Sequence, residues 1–69
     1  MKLAHKRASK NIQTLLTRNG ISVRKLARET GIDVSNISKM LHGQRQINLD
    51  HLTEIAKVLD VDVQKLLEP

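Results

Sequence analysis

The chain has 69 residues and no cysteine, so it suits one domain and has no thiolate for a disulfide or metal site. Its core-forming residues are aliphatic, with 10 Leu, 6 Ile and 5 Val and no aromatic residue, which indicates a folded domain rather than disorder. No apolar run is long enough to span a membrane and no apolar stretch follows the basic amino terminus, so we expect a cytoplasmic protein without a signal peptide.

The basic charge is concentrated in the first two thirds of the chain. Residues 1–45 contain ten Lys or Arg and two acids, a net charge of +8, whereas residues 46–69 contain two Lys and five acids, a net charge of −3. The sum is the overall +5. Such segregation is typical of a surface that meets a polyanion, although a solvated basic surface has the same composition.

Helical spacing of apolar residues predicts two helices in the first half. The first covers about residues 4–19 and ends at Gly20, unless Ser9 caps a shorter helix. Residues 1–8 then either extend this helix or form a flexible basic arm beside a core of about residues 9–67. The second helix covers Val23–Thr30, between the N-cap Ser22 and the terminating Gly31. The predicted buried positions of the two helices are Ala8, Ile12, Leu15, Leu16, Leu26 and Ala27.

Three further helices are predicted in the second half, and no segment alternates like a strand. They cover about residues 34–42 after the N-cap Asp33, about residues 48–59, and residues 63–67 after the N-cap Asp62. The linkers are short, so the helices must pack as a compact all-α domain. The predicted buried positions are Ile37, Met40, Leu41, Leu52, Ile55, Ala56 and Leu59, and the apolar positions of the last helix are Val63, Leu66 and Leu67.

Helices two and three form the unit with the clearest functional pattern. A helix of about eight residues ends at Gly31, and a tight turn through Ile32 and Asp33 leads to a second short helix. Ala27 is small enough for a close helix approach, Ile32 fills the turn, and Ile37 anchors the second helix. These residues fix the angle at which a protruding helix enters a major groove.

Residues 20–32 (GISVRKLARETGI), followed by Ile37, Ser38 and Gly43, resemble the helix-turn-helix family of phage repressors and Cro proteins. The tail at residues 52–61 (LTEIAKVLDV), followed by Leu66 and Leu67, resembles the last two helices of that family. The resemblance covers about residues 9–67. It implies a compact five-helix lambda-repressor-like domain and a sequence-specific, repressor-like transcriptional regulator that places Val34–Leu41 in the major groove of duplex DNA.

The resemblance also implies which residues meet the bases. These are the residues that open the third helix and those one turn later: Val34, Ser35, Ser38 and Lys39. Val34 suits a thymine methyl group, Ser35 a base edge, and Lys39 either the guanine O6 and N7 acceptors or a phosphate. Asp33 is better explained as an N-cap, because its charge repels phosphate.

Phosphate contacts implied by the resemblance lie on both sides of the third helix, at Ser22, Val23, Arg24, His42, Gln44 and Arg45. Val23 offers its backbone N–H at a helix amino terminus. Arg24, like Lys6, Arg7, Lys10 and Arg28, is also explained by simple surface solvation. One departure concerns Leu16 and Leu41, which stand where many family members have an Arg–Glu ion pair; we expect a hydrophobic contact instead.

Other functions are weaker alternatives. The three histidines lack metal-ligand spacing and no catalytic constellation is visible, so we expect no metal, no cofactor and no enzyme activity. An antitoxin or protein-interaction module of the same fold, or the DNA-binding domain of a longer repressor, is the main alternative. We expect a homodimer on a pseudo-palindromic site. Val61, Val63, Leu66 and Leu67 either form the self-association surface or complete the monomer core.

Overall fold

A computed structural model describes the backbone of residues 2–69 and the side chains of residues 6–69. This part of the chain contains five α-helices and no strand, which confirms the predicted all-α architecture. In chain order the helices are α1 (Lys2–Asn19), α2 (Val23–Thr30), α3 (Val34–Leu41), α4 (Leu49–Leu59) and α5 (Val63–Leu67).

Most helices begin at a side chain that replaces a missing backbone acceptor. The Ser22 hydroxyl accepts from the Lys25 amide at 3.0 Å, and the Asp33 carboxylate accepts from the Ser35 amide at 2.9 Å, as their N-cap patterns predict. Asn48 caps α4 in the same way. The prediction for Asp62 needs correction, because it occupies the N-cap position of α5 without any side-chain hydrogen bond. The short α5 is held instead by the burial of Leu66.

Helix ends lie close to the predicted bounds. The backbone of Gly31 is left-handed, with φ of 75°, and its amide donates to Ala27 O at 2.8 Å. The third helix ends at Leu41, one residue early, because His42 is its C-cap. The first helix starts at Lys2, so residues 2–8 are helical where a basic arm was an alternative, and Met1 lies outside the described residues.

The buried core joins all five helices. Its residues are Ala8, Ile12, Leu16, Leu26, Ala27, Ile32, Ile37, Met40, Leu41, Ile47, Leu52, Ile55, Ala56, Leu59 and Leu66. The predicted apolar positions are therefore largely correct. Leu15 and Val63 are only partly buried, and Leu67 is 38% exposed. Ile47, in the loop before α4, was not predicted and is buried because the loop folds back onto the core.

Helix α1 positions α3 and α5 through packing and through side-chain hydrogen bonds. It packs against α3 and α5, while α2 packs against α3 and α4. Ser9 does not cap a helix: it is buried inside α1 and its hydroxyl donates to Met40 O of α3 at 2.7 Å. The Asn11 amide donates to Leu66 O and Glu68 O, each at 2.8 Å, and so fixes the carboxyl end of α5.

Candidate nucleic-acid interface

The turn between α2 and α3 is fixed by a buried side chain and by a hydrogen bond. Ile32 is 8% exposed, and its amide donates to the Thr30 hydroxyl at 3.2 Å. Ala27 is also buried where α2 and α3 pack together, as its small size predicts. Because the turn is packed and hydrogen-bonded, α3 leaves α2 in one defined direction.

Helix α3 has one buried face and one solvent face. Ile37, Met40 and Leu41 are buried, as predicted. The four predicted base-contacting residues lie away from the core: Val34, Ser35 and Lys39 are exposed, and Ser38 is half-buried. Val34 is 43% exposed, which is unusual for an apolar residue in this chain. An exposed methyl, two hydroxyls and an ammonium are groups that hydrogen-bond or contact base edges in a major groove.

The amino terminus of α2 presents free backbone donors. The Ser22 hydroxyl is occupied by the Lys25 amide, whereas the Val23 and Arg24 amides have no acceptor among the described residues. Because the Val23 side chain packs against the core, its backbone amide is the group that can bind a ligand. Unpaired amides at a helix amino terminus, beside the Arg24 guanidinium, suit a phosphate oxygen.

Two clefts bring the predicted phosphate-contacting residues together with α3. One lies between α2 and α3 and is lined by Ser22, Arg24 and Val34, among others. The second cleft is lined by Ser22 and Val23 and also by His42, the residue after α3. The start of α2, the start of α3 and the residue after α3 therefore form one continuous surface.

The ring of His42 has a specific partner at the end of α3. Its Nδ1 lies 2.7 Å from Ser38 O, so this nitrogen carries the proton. The ring nitrogen that remains for a contact with phosphate is Nε2.

A hydrogen-bonded pair that the sequence did not reveal joins the loop after α3 to α3 itself. The Arg45 guanidinium donates to the Asn36 amide oxygen at 2.8 Å, which holds Arg45 against the solvent side of α3. Gln44 has an exposed side chain, and its backbone amide donates to Lys39 O at 2.8 Å. Asn36 was missed because nothing in the spacing links it to a residue nine positions later across a loop. Its polar character within α3 was the available signal.

Ion pairing differs sharply between the two parts of the chain. In the described residues there are two ion pairs, Lys57 with Glu54 at 3.3 Å and Lys65 with Glu68 at 3.6 Å. Both lie in the acidic last third. The nine described Lys and Arg side chains from Lys6 to Arg45 have no carboxylate within 4.0 Å. Their charge is therefore not neutralised by a nearby carboxylate and remains available to an anionic partner.

These features together define a helix-turn-helix DNA-binding domain: a packed turn, a second helix with a polar exposed face, and unpaired cationic groups around it. A family model for the Cro/C1-type helix-turn-helix DNA-binding domain matches residues 11–69. The chain belongs to this family. The predicted resemblance to phage repressors and Cro proteins, and with it a DNA-binding transcriptional regulator, is confirmed.

Relatives and solved structures agree with that assignment. The chain is 32% identical over 60 residues to the SPbeta prophage-derived HTH-type transcriptional regulator YopO of Bacillus subtilis (strain 168), covering 87% of this chain and 86% of that protein. The crystal structure of the restriction-modification controller protein C.AhdI from Aeromonas hydrophila superposes with a TM-score of 0.84 at 27% identity, covering 90% of this chain and 94% of that one.

A second solved structure supports the fold alone. An HTH_3 family transcriptional regulator from Vibrio cholerae superposes with a TM-score of 0.86 at 16% identity. The match covers 96% of this chain but 38% of that one, so it concerns one domain of a longer protein. None of the described helices is long and apolar enough to cross a membrane.

Proposed function

We propose that this protein is a repressor-like regulator that recognises a specific sequence in duplex DNA by placing α3 in the major groove. The observation that carries the proposal is the exposed polar face of α3, which lies between the free amides of α2 and Arg45 of the following loop, whose guanidinium is held by Asn36. Similarity to a prophage-derived transcriptional regulator and to a restriction-modification controller supports a role in controlling transcription. With duplex DNA as the partner, a cytoplasmic location is part of the proposal.

Base recognition is assigned to the solvent face of α3. Val34 contacts a thymine methyl, Ser35 and Ser38 hydrogen-bond to base edges, and Lys39 donates to guanine O6 or N7. The phosphate contacts flank this face. Their residues are Ser22, Val23, Arg24, His42, Gln44 and Arg45.

The proposal includes a homodimer on a pseudo-palindromic site. One domain of this size buries only about 600–1,000 Å² on DNA, which is too little for tight specific binding by itself. Two copies bind half-sites about one helical turn apart. Leu66 is fully buried and belongs to the monomer core, whereas Leu67 is exposed and Val61 and Val63 are partly exposed. These three are the proposed self-association residues.

The first experiment selects bound sequences from a random duplex pool and measures affinity for the selected and a scrambled duplex over a range of salt. Neutralising about five phosphates gives a log–log slope near −4 to −5, and the selected duplex should bind about 10³-fold or more tightly. A flat salt response, or no binding at low salt, contradicts the proposal and favours an antitoxin or protein-interaction module of the same fold.

Sedimentation measures the dimer directly. We expect the mass of two chains on a selected duplex at micromolar concentration. A chain that stays a monomer both free and on DNA contradicts the dimer, while leaving DNA recognition as a separate result. A selected sequence without two-fold symmetry contradicts the pseudo-palindromic site.

A further inference from the structure

A third cleft lies beside the carboxyl end of α3, and the α1 residues that line it are not among the contacts assigned above. Lys6, Lys10 and Gln13 of α1 line one side, with His42 and Gly43 on the other. The three α1 residues occupy positions i, i+4 and i+7, so they project from one face of the helix. Lys6 and Lys10 are exposed.

The carbonyl groups at this end of α3 do not repel an anion as a free helix end does. A helix carboxyl terminus normally leaves four carbonyls unpaired and carries a partial negative charge. Here each carbonyl of residues 38–41 accepts a hydrogen bond from within the protein, at distances between 2.5 and 3.2 Å. The donors are the backbone amides of His42, Gly43 and Gln44 and the side chains of Ser9, Gln13 and His42.

Lys6 and Lys10 form no ion pair with any described side chain. Neither has a carboxylate within 4.0 Å in the described part of the chain. Like charges at i and i+4 of a helix repel each other, so this arrangement does not stabilise α1 by itself. An anion bound between the ammonium groups relieves that repulsion.

The cleft adjoins the surface already assigned to phosphate. Gln13, Leu41 and His42 line both this cleft and the neighbouring cleft that contains Ser22 and Val23. The eight residues of α3 span about 12 Å, so the lysines lie well away from the amino-terminal end of α3 that faces the bases. A DNA strand that passes the start of α2 can therefore continue across α1.

We propose that Lys6 and Lys10 form a second phosphate-binding site, which holds the backbone of duplex DNA outside the base pairs contacted by α3. The inference rests on the proposed DNA-binding function and extends it to α1. The site contributes affinity and lengthens the bound DNA segment. It contributes nothing to base preference, because phosphates are common to all sequences.

The test compares two double variants that remove the same charge. Lys6→Gln/Lys10→Gln alters the cleft, and the control Lys57→Gln/Lys65→Gln removes the two ion-paired lysines of the acidic third. Affinity for a selected duplex is measured against salt. We expect the cleft variant to reduce the magnitude of the log–log slope by about 0.9 to 1.8, for one or two lost phosphate contacts, with base preference unchanged. The control should keep the wild-type slope.

Two further measurements make the result unambiguous. Lys6→Arg/Lys10→Arg keeps the charge and should restore the slope, while circular dichroism checks that each variant is helical. Shortening the duplex to the selected base pairs should reduce wild-type affinity to that of the cleft variant. Equal slopes for the cleft and control variants overturn this inference, whereas a wild-type protein with no salt-dependent binding overturns the proposed function instead.

Discussion

Arg45 illustrates how a single side chain is preorganised for a contact with phosphate. An unrestrained arginine loses considerable rotamer freedom when it binds a phosphate. In this protein its guanidinium is already held by Asn36, so part of that entropy is lost on folding rather than on binding. Arg45 retains further N–H donors for a phosphate, because a guanidinium has five.

We expect Asn36→Ala to weaken DNA binding mainly through Arg45. A double-mutant cycle with Arg45→Ala should give a coupling of about 0.5–3 kcal/mol in the binding free energy, the usual range for residues in direct contact. The measurement is a titration of all four proteins with the same selected duplex. Additive effects would show that Asn36 contacts DNA independently of Arg45.

Substitution of Lys39 distinguishes a contact with a base from a contact with a phosphate. It is exposed, has no ion-pair partner among the described residues, and lies one turn after Ser35 on the solvent face of α3. We expect Lys39→Ala to cost about 1–3 kcal/mol on the selected duplex and to relax the preference at one base pair. Selection with the variant protein measures this. An equal loss on every duplex would assign Lys39 to a phosphate.

At the scale of the elements, two aspartates at equivalent N-cap positions differ in whether they cap their helix with a side-chain hydrogen bond. The Asp33 carboxylate, before α3, accepts a hydrogen bond from the Ser35 amide. The Asp62 carboxylate, before α5, accepts no hydrogen bond from the helix. Sequence preference for aspartate at an N-cap predicts the same role for both. Helix α5 has five residues and depends on its packing against α1 and α4.

The pair gives a matched test of capping. Asp33→Ala should lower the free energy of unfolding by about 0.5–2 kcal/mol, because an amide of α3 loses its acceptor. Asp62→Ala should change it by no more than about 0.5 kcal/mol, as expected of an exposed site without such a bond. Urea denaturation followed by circular dichroism measures both. Equal losses would mean that Asp62 does cap α5 in solution.

For the whole molecule, the aliphatic core carries the stability. A domain this small has a narrow margin of stability and contains neither a disulfide nor an aromatic residue to enlarge its core. Two leucines on the first turn of α4 allow the core contribution to be measured. Leu52 is 5% exposed and Leu49 is 68% exposed.

We expect Leu52→Ala to reduce the free energy of unfolding by about 2–5 kcal/mol, because it opens a cavity among packed helices. Leu49→Ala removes the same atoms from a solvated position and should change stability by no more than about 0.5 kcal/mol. Thermal and urea unfolding of the two variants measure the difference. Similar losses would indicate that Leu49 is covered in solution, for example by a second copy of the chain.

The helices were largely predictable because their signals are local. The apolar period of 3.6 residues, the capping residues Ser22 and Asp33, and the terminating glycines act within one or two turns. The bounds of α2 and α5 were predicted as they are observed, and those of α3 and α4 differ from the predictions by about one residue. The outward position of Val34, Ser35 and Lys39 follows from the same periodicity, because Ile37 and Leu41 must face inward.

The sequence by itself thus determined the helices, the segregation of charge and the family of the protein. Tertiary structure decided which polar groups meet, since these pairs depend on how separate helices pack. Ser9 reaches α3 across 31 positions and Asn11 reaches α5 across 55, so neither pairing has a local signal. Packing also buried Ile47 and left Lys6 and Lys10 beside α3 with no carboxylate of the described residues within 4.0 Å, which is the arrangement that suggests a second phosphate site.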